Sequence, residues 1–211
     1  MLFDSNKELE QNIMKPIFLM RILLVAVLLG NLTFSQTRYF PDRAFDNDAR
    51  MSALFAKWYS QNLHDLQEPS LYESSKSSTN VEVYRLTLLP AFTNPRAYRL
   101  EIRKDGTGVL FVKEVANKDS GKKPIIQVSK QLEINAPAIK TFLKLVSSNS
   151  YWTLPTEQES HNGRDGTQWI LEGMRGGKYH VVERWSWPLG PVHAIGKAIM
   201  VDLARESGVD Q

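Results

Sequence analysis

The stretch from Asp165 to Ser186 reads DGTQWILEGMRGGKYHVVERWS, and its reading decides the fold. Trp169 and Leu171 alternate with Gln168, Ile170 and Glu172; beyond the glycines, Tyr179, Val181 and Trp185 alternate with Lys178, His180 and Arg184. A period of two is that of a strand with one buried face, so the stretch predicts an antiparallel hairpin. Loop length sets which faces coincide. A three-residue loop of Met174, Arg175 and Gly176, with Gly176 left-handed, sets Leu171 opposite Tyr179 and Trp169 opposite Val181. The aromatic residues then share one face, and Gln168, Glu172, Lys178, His180 and Arg184 share the other. A two-residue loop would mix the sets, so the odd loop is expected.

Upstream, the same alternation recurs. Tyr84, Leu86 and Leu88 alternate with Val83, Arg85 and Thr87, and Tyr98, Leu100 and Ile102 with Arg99, Glu101 and Arg103. Phe92-Thr93-Asn94-Pro95 turns the chain between them. Asp105-Gly106 signals a two-residue hairpin that would set Ile102 opposite Val109 and Leu100 opposite Phe111. Ile126, Val128, Leu132 and Ile134 form a further strand. Helical spacing appears at Met51, Leu54, Phe55, Trp58 and Tyr59 within 47–66, an apolar stripe read as core, with Trp58 and Trp169 inside. Asp46 or Asn47 is placed to cap that helix. Asn135 caps a second helix through Ile139, Phe142, Leu143 and Val146, and Val192, Ile195, Ile199 and Leu203 mark a last one. Ser70 to Asn80 is polar and reads as an exposed loop. The expected class is α+β: an antiparallel sheet of about six strands, a meander plus the C-terminal hairpin, with amphipathic helices packed on one face.

The N-terminus reads as an address. Met14 is taken as the start of a leader in which Lys15 and Arg21 precede the apolar core Ile22 to Leu29, and Thr33-Phe34-Ser35 offers a cleavage site before Gln36. Residues 1–35 are thus expected to be a signal peptide, 36–46 a polar linker and 47–208 a single domain. Export to the periplasm or the outside follows, or anchoring to the inner membrane if the leader stays uncleaved. Removing it leaves 176 residues (211 − 35), enough for one core.

Composition removes several activities. The chain has no cysteine, which excludes thiol catalysis, disulfides and a lipid-modified cysteine. Its 26 basic and 23 acidic residues are interspersed, so the clustered charge of a nucleic-acid binder is missing. His64, His161, His180 and His193 lack ligand spacing, so no metal is expected. Gly173, Gly176 and Gly177 join strand to strand rather than strand to helix, so no phosphate-binding cofactor is expected. No serine sits at a strand-turn-helix elbow; Ser186 lies at a strand exit.

The run Asp165-Gly166-x-x-Trp169-x-x-Glu172-Gly173, with Tyr179-His180 and Arg184-Trp185-Ser186, resembles the signature of a family of exported bacterial proteins with no assigned function. The resemblance takes in Glu68-Pro69-Ser70-Leu71, Tyr84-Arg85-Leu86 and Trp152-Thr153-Leu154-Pro155. It departs at Trp187, which separates Ser186 from Pro188. The resemblance implies one α+β domain and brings no catalytic residue, substrate or partner.

Two functional readings remain. In the first, Tyr151, Trp152, Trp185 and Trp187 beside Arg184 form an aromatic surface of a non-catalytic module that binds an envelope protein or glycan, since Trp, Tyr and Arg dominate interface hot spots. In the alternative, Glu172 and His180 are diagonal neighbours acting as the acid/base pair of an envelope hydrolase, with Arg184 holding an anion and the loop of His161 and Asp165 closing the cleft. Against both stands the simplest account of Glu172, Lys178, His180 and Arg184, a charge-balanced outer face of a sheet.

Overall fold

The structure, a computed structural model, describes residues 37–77, 81–116, 123–156, 165–185 and 189–206. The leader, His161 and Trp187 lie outside the described residues. The fold is α+β, built on one six-stranded, fully antiparallel sheet. Its strands are β1 (Glu82–Pro90), β2 (Arg96–Ile102), β3 (Gly108–Val115), β4 (Ile126–Ile134), β5 (Thr167–Arg175) and β6 (Lys178–Trp185), in the order β4-β3-β2-β1-β5-β6. The first four make a meander. The chain then returns through a helix so that the C-terminal hairpin adds to the free side of β1, and β1 becomes a central strand.

That position explains why β1 is buried on both sides, from Val83 to Leu89, although its alternation suggests one wet face. Tyr84, Leu86 and Leu88 point to one side with Tyr98, Leu100, Leu110 and Leu171. Against them pack α3 (Ala136–Ser148) through Ile139, Phe142 and Val146, and the C-terminal helix through Val192, Ile195 and Ile199. Asn135 caps α3 as expected, its side chain accepting from the Ala138 amide at 2.9 Å. The C-terminal helix runs as α4 (Pro191–Lys197), a π-helical turn (Ala198–Asp202) and α5 (Leu203–Glu206). It lies close on β5 because Gly196 has no side chain: a Cβ there would stand 2.7 Å from the Trp169 ring.

The opposite face carries the remaining helices, so helical cover is on both sides rather than one. Helix α1 (Ala49–Asp65) starts at Asp48, not at the earlier Asp46 or Asn47, with Asp48 Oδ1 accepting from the Arg50 and Met51 amides. It buries Tyr59 and Leu63 with Leu89, Ile170 and Val181. Tyr39, Phe40 and Phe45 join the same cluster. The segment read as a polar linker is therefore part of the core, its apolar residues hidden among Arg, Asp and Asn neighbours. The segment read as an exposed loop likewise holds a short helix, α2 (Leu71–Ser75), capped by Ser70, with Leu71 buried on Val83 and Met174.

The turn of the opening hairpin also differs. Arg175 pairs with Lys178, leaving Gly176 and Gly177 as a two-residue turn, with φ of 55° and 77°. Two consecutive positive φ values are what the tight hairpin turn matching strand twist demands, and two glycines supply both. Leu171 consequently faces Val182 and Trp169 faces Arg184. The Asp105-Gly106 turn is longer than two residues, closed by the Arg103 amide donating to the Thr107 carbonyl at 2.8 Å, and Leu100 pairs with Leu110.

Candidate functional site

Leu171 faces Val182 instead of Tyr179, a shift of three residues that turns β6 over relative to the expected faces. Glu172 pairs with Val181, and His180 with Gly173, so Glu172 and His180 project from opposite faces of the sheet. The acid/base pair does not form, and the outer charged face of Glu172, Lys178, His180 and Arg184 does not exist as such. Glu172 and His180 each belong to a different cluster.

Glu172 lies at the centre of a buried ionic network. Arg85, its neighbour across the β1–β5 ladder, donates from Nε to Glu172 Oε2 at 2.7 Å and from Nη2 to Oε1 at 2.8 Å. Tyr179 adds its hydroxyl to Oε1 at 2.9 Å. Both carboxylate oxygens are thereby occupied. Arg85 Nη1 donates to the Pro69 carbonyl at 2.6 Å and lies 3.5 Å from Glu68 Oε2. Arg99 on β2 donates from Nε to the same oxygen at 2.8 Å, and Lys113 on β3 stands 3.1 Å from Glu68 Oε1. The side chains of Arg85 and Glu172 are fully buried and that of Glu68 is 1% exposed.

Burial, the largest influence on each, works against both charges of the central pair. It lifts the Glu172 carboxyl above its ordinary range despite the opposing pull of Arg85 and Tyr179. For Arg85, the carboxylates of Glu172 and Glu68 outweigh burial and hold the guanidinium above its usual value. The bidentate fork, which needs two accepting oxygens, favours the ionised pair. A carboxylate held this way has no spare oxygen for a substrate proton and no open side toward water. It does not act as a general base here.

A further buried carboxylate, Glu183, accepts from the Tyr59 hydroxyl of α1 at 2.5 Å and from Gln168 Nε2 at 3.2 Å. It ties α1 to the hairpin.

His180 sits on the other face in an aromatic cluster. Its ring meets Tyr151 edge-on at 5.2 Å and lies 6.3 Å from Trp152; both rings also touch Tyr84. Burial moves the imidazole below its ordinary value, favouring the neutral ring, although backbone contacts with Leu154 and Tyr151 oppose this. Its Nε2 is buried with no hydrogen-bond partner among the described residues. Tyr151 is completely buried, its hydroxyl donating to the His180 carbonyl at 2.9 Å, and its ring occupies the space where a Cβ on Gly173 would be.

The expected aromatic binding surface therefore does not converge. Tyr151 is core and Trp152 is half-buried beneath Arg175, whose guanidinium lies 5.0 Å over its ring. Arg184 is half-buried and engaged with backbone carbonyls, donating to Thr156 and Pro155 at 3.0 Å each. Trp185 is half-buried on the face opposite Arg184, above Gln168.

Among the described residues, the large exposed aromatic on a regular element is elsewhere. On α1, Met51, Leu54 and Trp58 are 41%, 58% and 44% exposed. Spaced three and four residues apart, they share one side of the helix. The exposed Arg50 and Lys57 flank them, while Tyr59 and Leu63 take the inward side. Sequence periodicity finds both sets but cannot say which is inside, since Trp58 and Tyr59 are adjacent and only one can face the sheet.

Among the described residues, no group of three acidic or histidine side chains is arranged to hold a metal ion, and no helix is long and apolar enough to cross a membrane. No family model, curated protein or solved structure matches the chain.

Proposed function

We propose that this chain is a non-catalytic binding module exported to the bacterial cell envelope, and that it docks a partner protein on the outward side of α1. The observation that carries the reading is the exposed stripe of Met51, Leu54 and Trp58 on a helix whose other side is fixed to the sheet. A Trp on a rigid element brings a large contact area with little ordering cost, the usual make-up of an interface anchor. Arg50 and Lys57 beside the stripe favour a partner with an apolar pocket rimmed by acidic groups. The engagement of Glu172 by Arg85 and Tyr179 supports a non-catalytic role. Export rests on the leader pattern of residues 14–35, with the mature domain periplasmic, extracellular or held at the inner membrane by an uncleaved leader.

The test is cross-linked capture from the envelope with the mature domain, beside a folded Leu54→Glu/Trp58→Ala variant. The captured protein is then purified and its affinity for each form measured. Binding by the wild type and a loss of at least tenfold in the variant support the reading. Equal affinity for both forms removes α1 as the docking surface.

A further inference from the structure

Three cationic side chains rise from adjacent strands on one face of the sheet and meet at one carboxylate. Arg85 of β1 and Arg99 of β2 are direct cross-strand partners, and Lys113 stands on β3 beside them. Glu68 receives all three, Lys113 on Oε1 and Arg99 with Arg85 on Oε2. Yet Glu68 is not part of the sheet. It arrives on the segment that follows α1, where the chain reverses through Gln67 at a left-handed φ of 52°. The Glu68 amide reaches back to the Leu63 carbonyl at 2.9 Å, closing the helix end and aiming the side chain at the strands.

We propose that Arg85, Arg99 and Lys113 form a carboxylate-binding site that the chain fills with its own Glu68, so that the segment carrying Glu68 competes with any external carboxylate. None of these residues belongs to the exposed stripe of Met51, Leu54 and Trp58 on α1. The strands that carry the three cations pair with one another without this segment, whose Gln67 and Pro69 carbonyls accept from Lys113 and from Arg85 at 2.6 Å each and so hold Glu68 among them. Charge points the same way. Among the described residues, the remaining acids paired with these cations are Glu172, on Arg85, and Glu101, on Arg99. Without Glu68, three cations face two carboxylates and one positive charge is left over. The two oxygens of Glu68 are addressed from separate strands, an arrangement suited to a planar, two-oxygen anion.

The experiment is chemical replacement in the full chain. Thermal midpoints of Glu68→Ala are measured near pH 7 across rising acetate, with sodium chloride at matched ionic strength and inorganic phosphate as further arms. The site predicts a saturable rise in acetate of several degrees over chloride, and its loss in Glu68→Ala/Lys113→Met. Folding of Glu68→Ala in acetate but not in chloride counts the same way. Equal midpoints in acetate and chloride, an undiminished acetate effect in the double variant, or failure to fold in either salt overturns the proposal. A larger rise in phosphate than in acetate overturns the carboxylate assignment.

Discussion

Arg85 and Glu172 face each other as cross-strand partners on the two central strands β1 and β5, and their side chains lock in a two-pronged ion pair with no exposed surface. Sequence separates them by 87 positions. The attraction of such a pair is large in a dry interior but is offset by the water each charge gives up, so its net contribution is small while the cost of losing one member is not. The pair therefore acts mainly on which structure forms. It fixes the register of β5 against β1 and, through Pro69 and Glu68, the path of the chain after α1.

Removing one partner tests this directly. Glu172→Gln or Arg85→Met should each destabilise the fold by about 3–5 kcal/mol, because an unpaired charge or orphaned donor stays buried. The double Arg85→Met/Glu172→Met should lose less than either single change. Urea unfolding of the three variants measures it; a double variant as weak as the sum of the singles contradicts the account.

Much of the scaffold is legible from sequence. Asn135 before an apolar-periodic run marks the start of α3, and alternation finds each strand. The two-sided burial of β1 is not legible, because Arg85 in a strand looks like an outward residue unless a distant Glu172 and Glu68 are known to meet it. The hairpin register was decided by one glycine. Reading only Gly176 as left-handed gives an odd loop and joins Glu172 to His180, whereas using Gly177 as well separates them. Tyr39, Phe40 and Phe45 were obscured by the charged residues between them, which average the local pattern toward a linker.

His180 should set an acid-side limit. Its imidazole is moved below the ordinary value of 6.5, chiefly by burial, so the unfolded chain takes up a proton more readily than the folded one. Its contribution is fully present above that value and is lost as pH falls below it toward the folded value. His180→Phe should weaken the fall in thermal midpoint between about pH 6.5 and 5, the range just below an ordinary imidazole pKa. An unchanged pH profile in the variant would contradict the assignment.

Gly173 supports the ring of Tyr151. A Cβ there would lie 2.7 Å from Tyr151 Cε1, and that ring is fully buried and cannot swing away. Gly173→Ala should cost about 1–3 kcal/mol, the range of overpacked cores, as read by denaturant midpoint. A neutral result would mean that the ring yields.

Gln67 pays a left-handed backbone penalty at the end of α1. Gln67→Gly should raise stability by up to about 1 kcal/mol, since relief of that strain exceeds the added freedom of the unfolded chain. Loss of stability would show that the glutamine side chain makes a contact worth more than the strain.

The most direct test of the docking role is a photo-reactive residue placed on the protein in its own cells. At position 54, at the centre of the α1 stripe, the account predicts one dominant adduct with an envelope protein, abolished by Trp58→Glu. At position 131, exposed on the edge strand β4, it predicts none of that adduct. No adduct at position 54, or the same adduct at both positions, would contradict it.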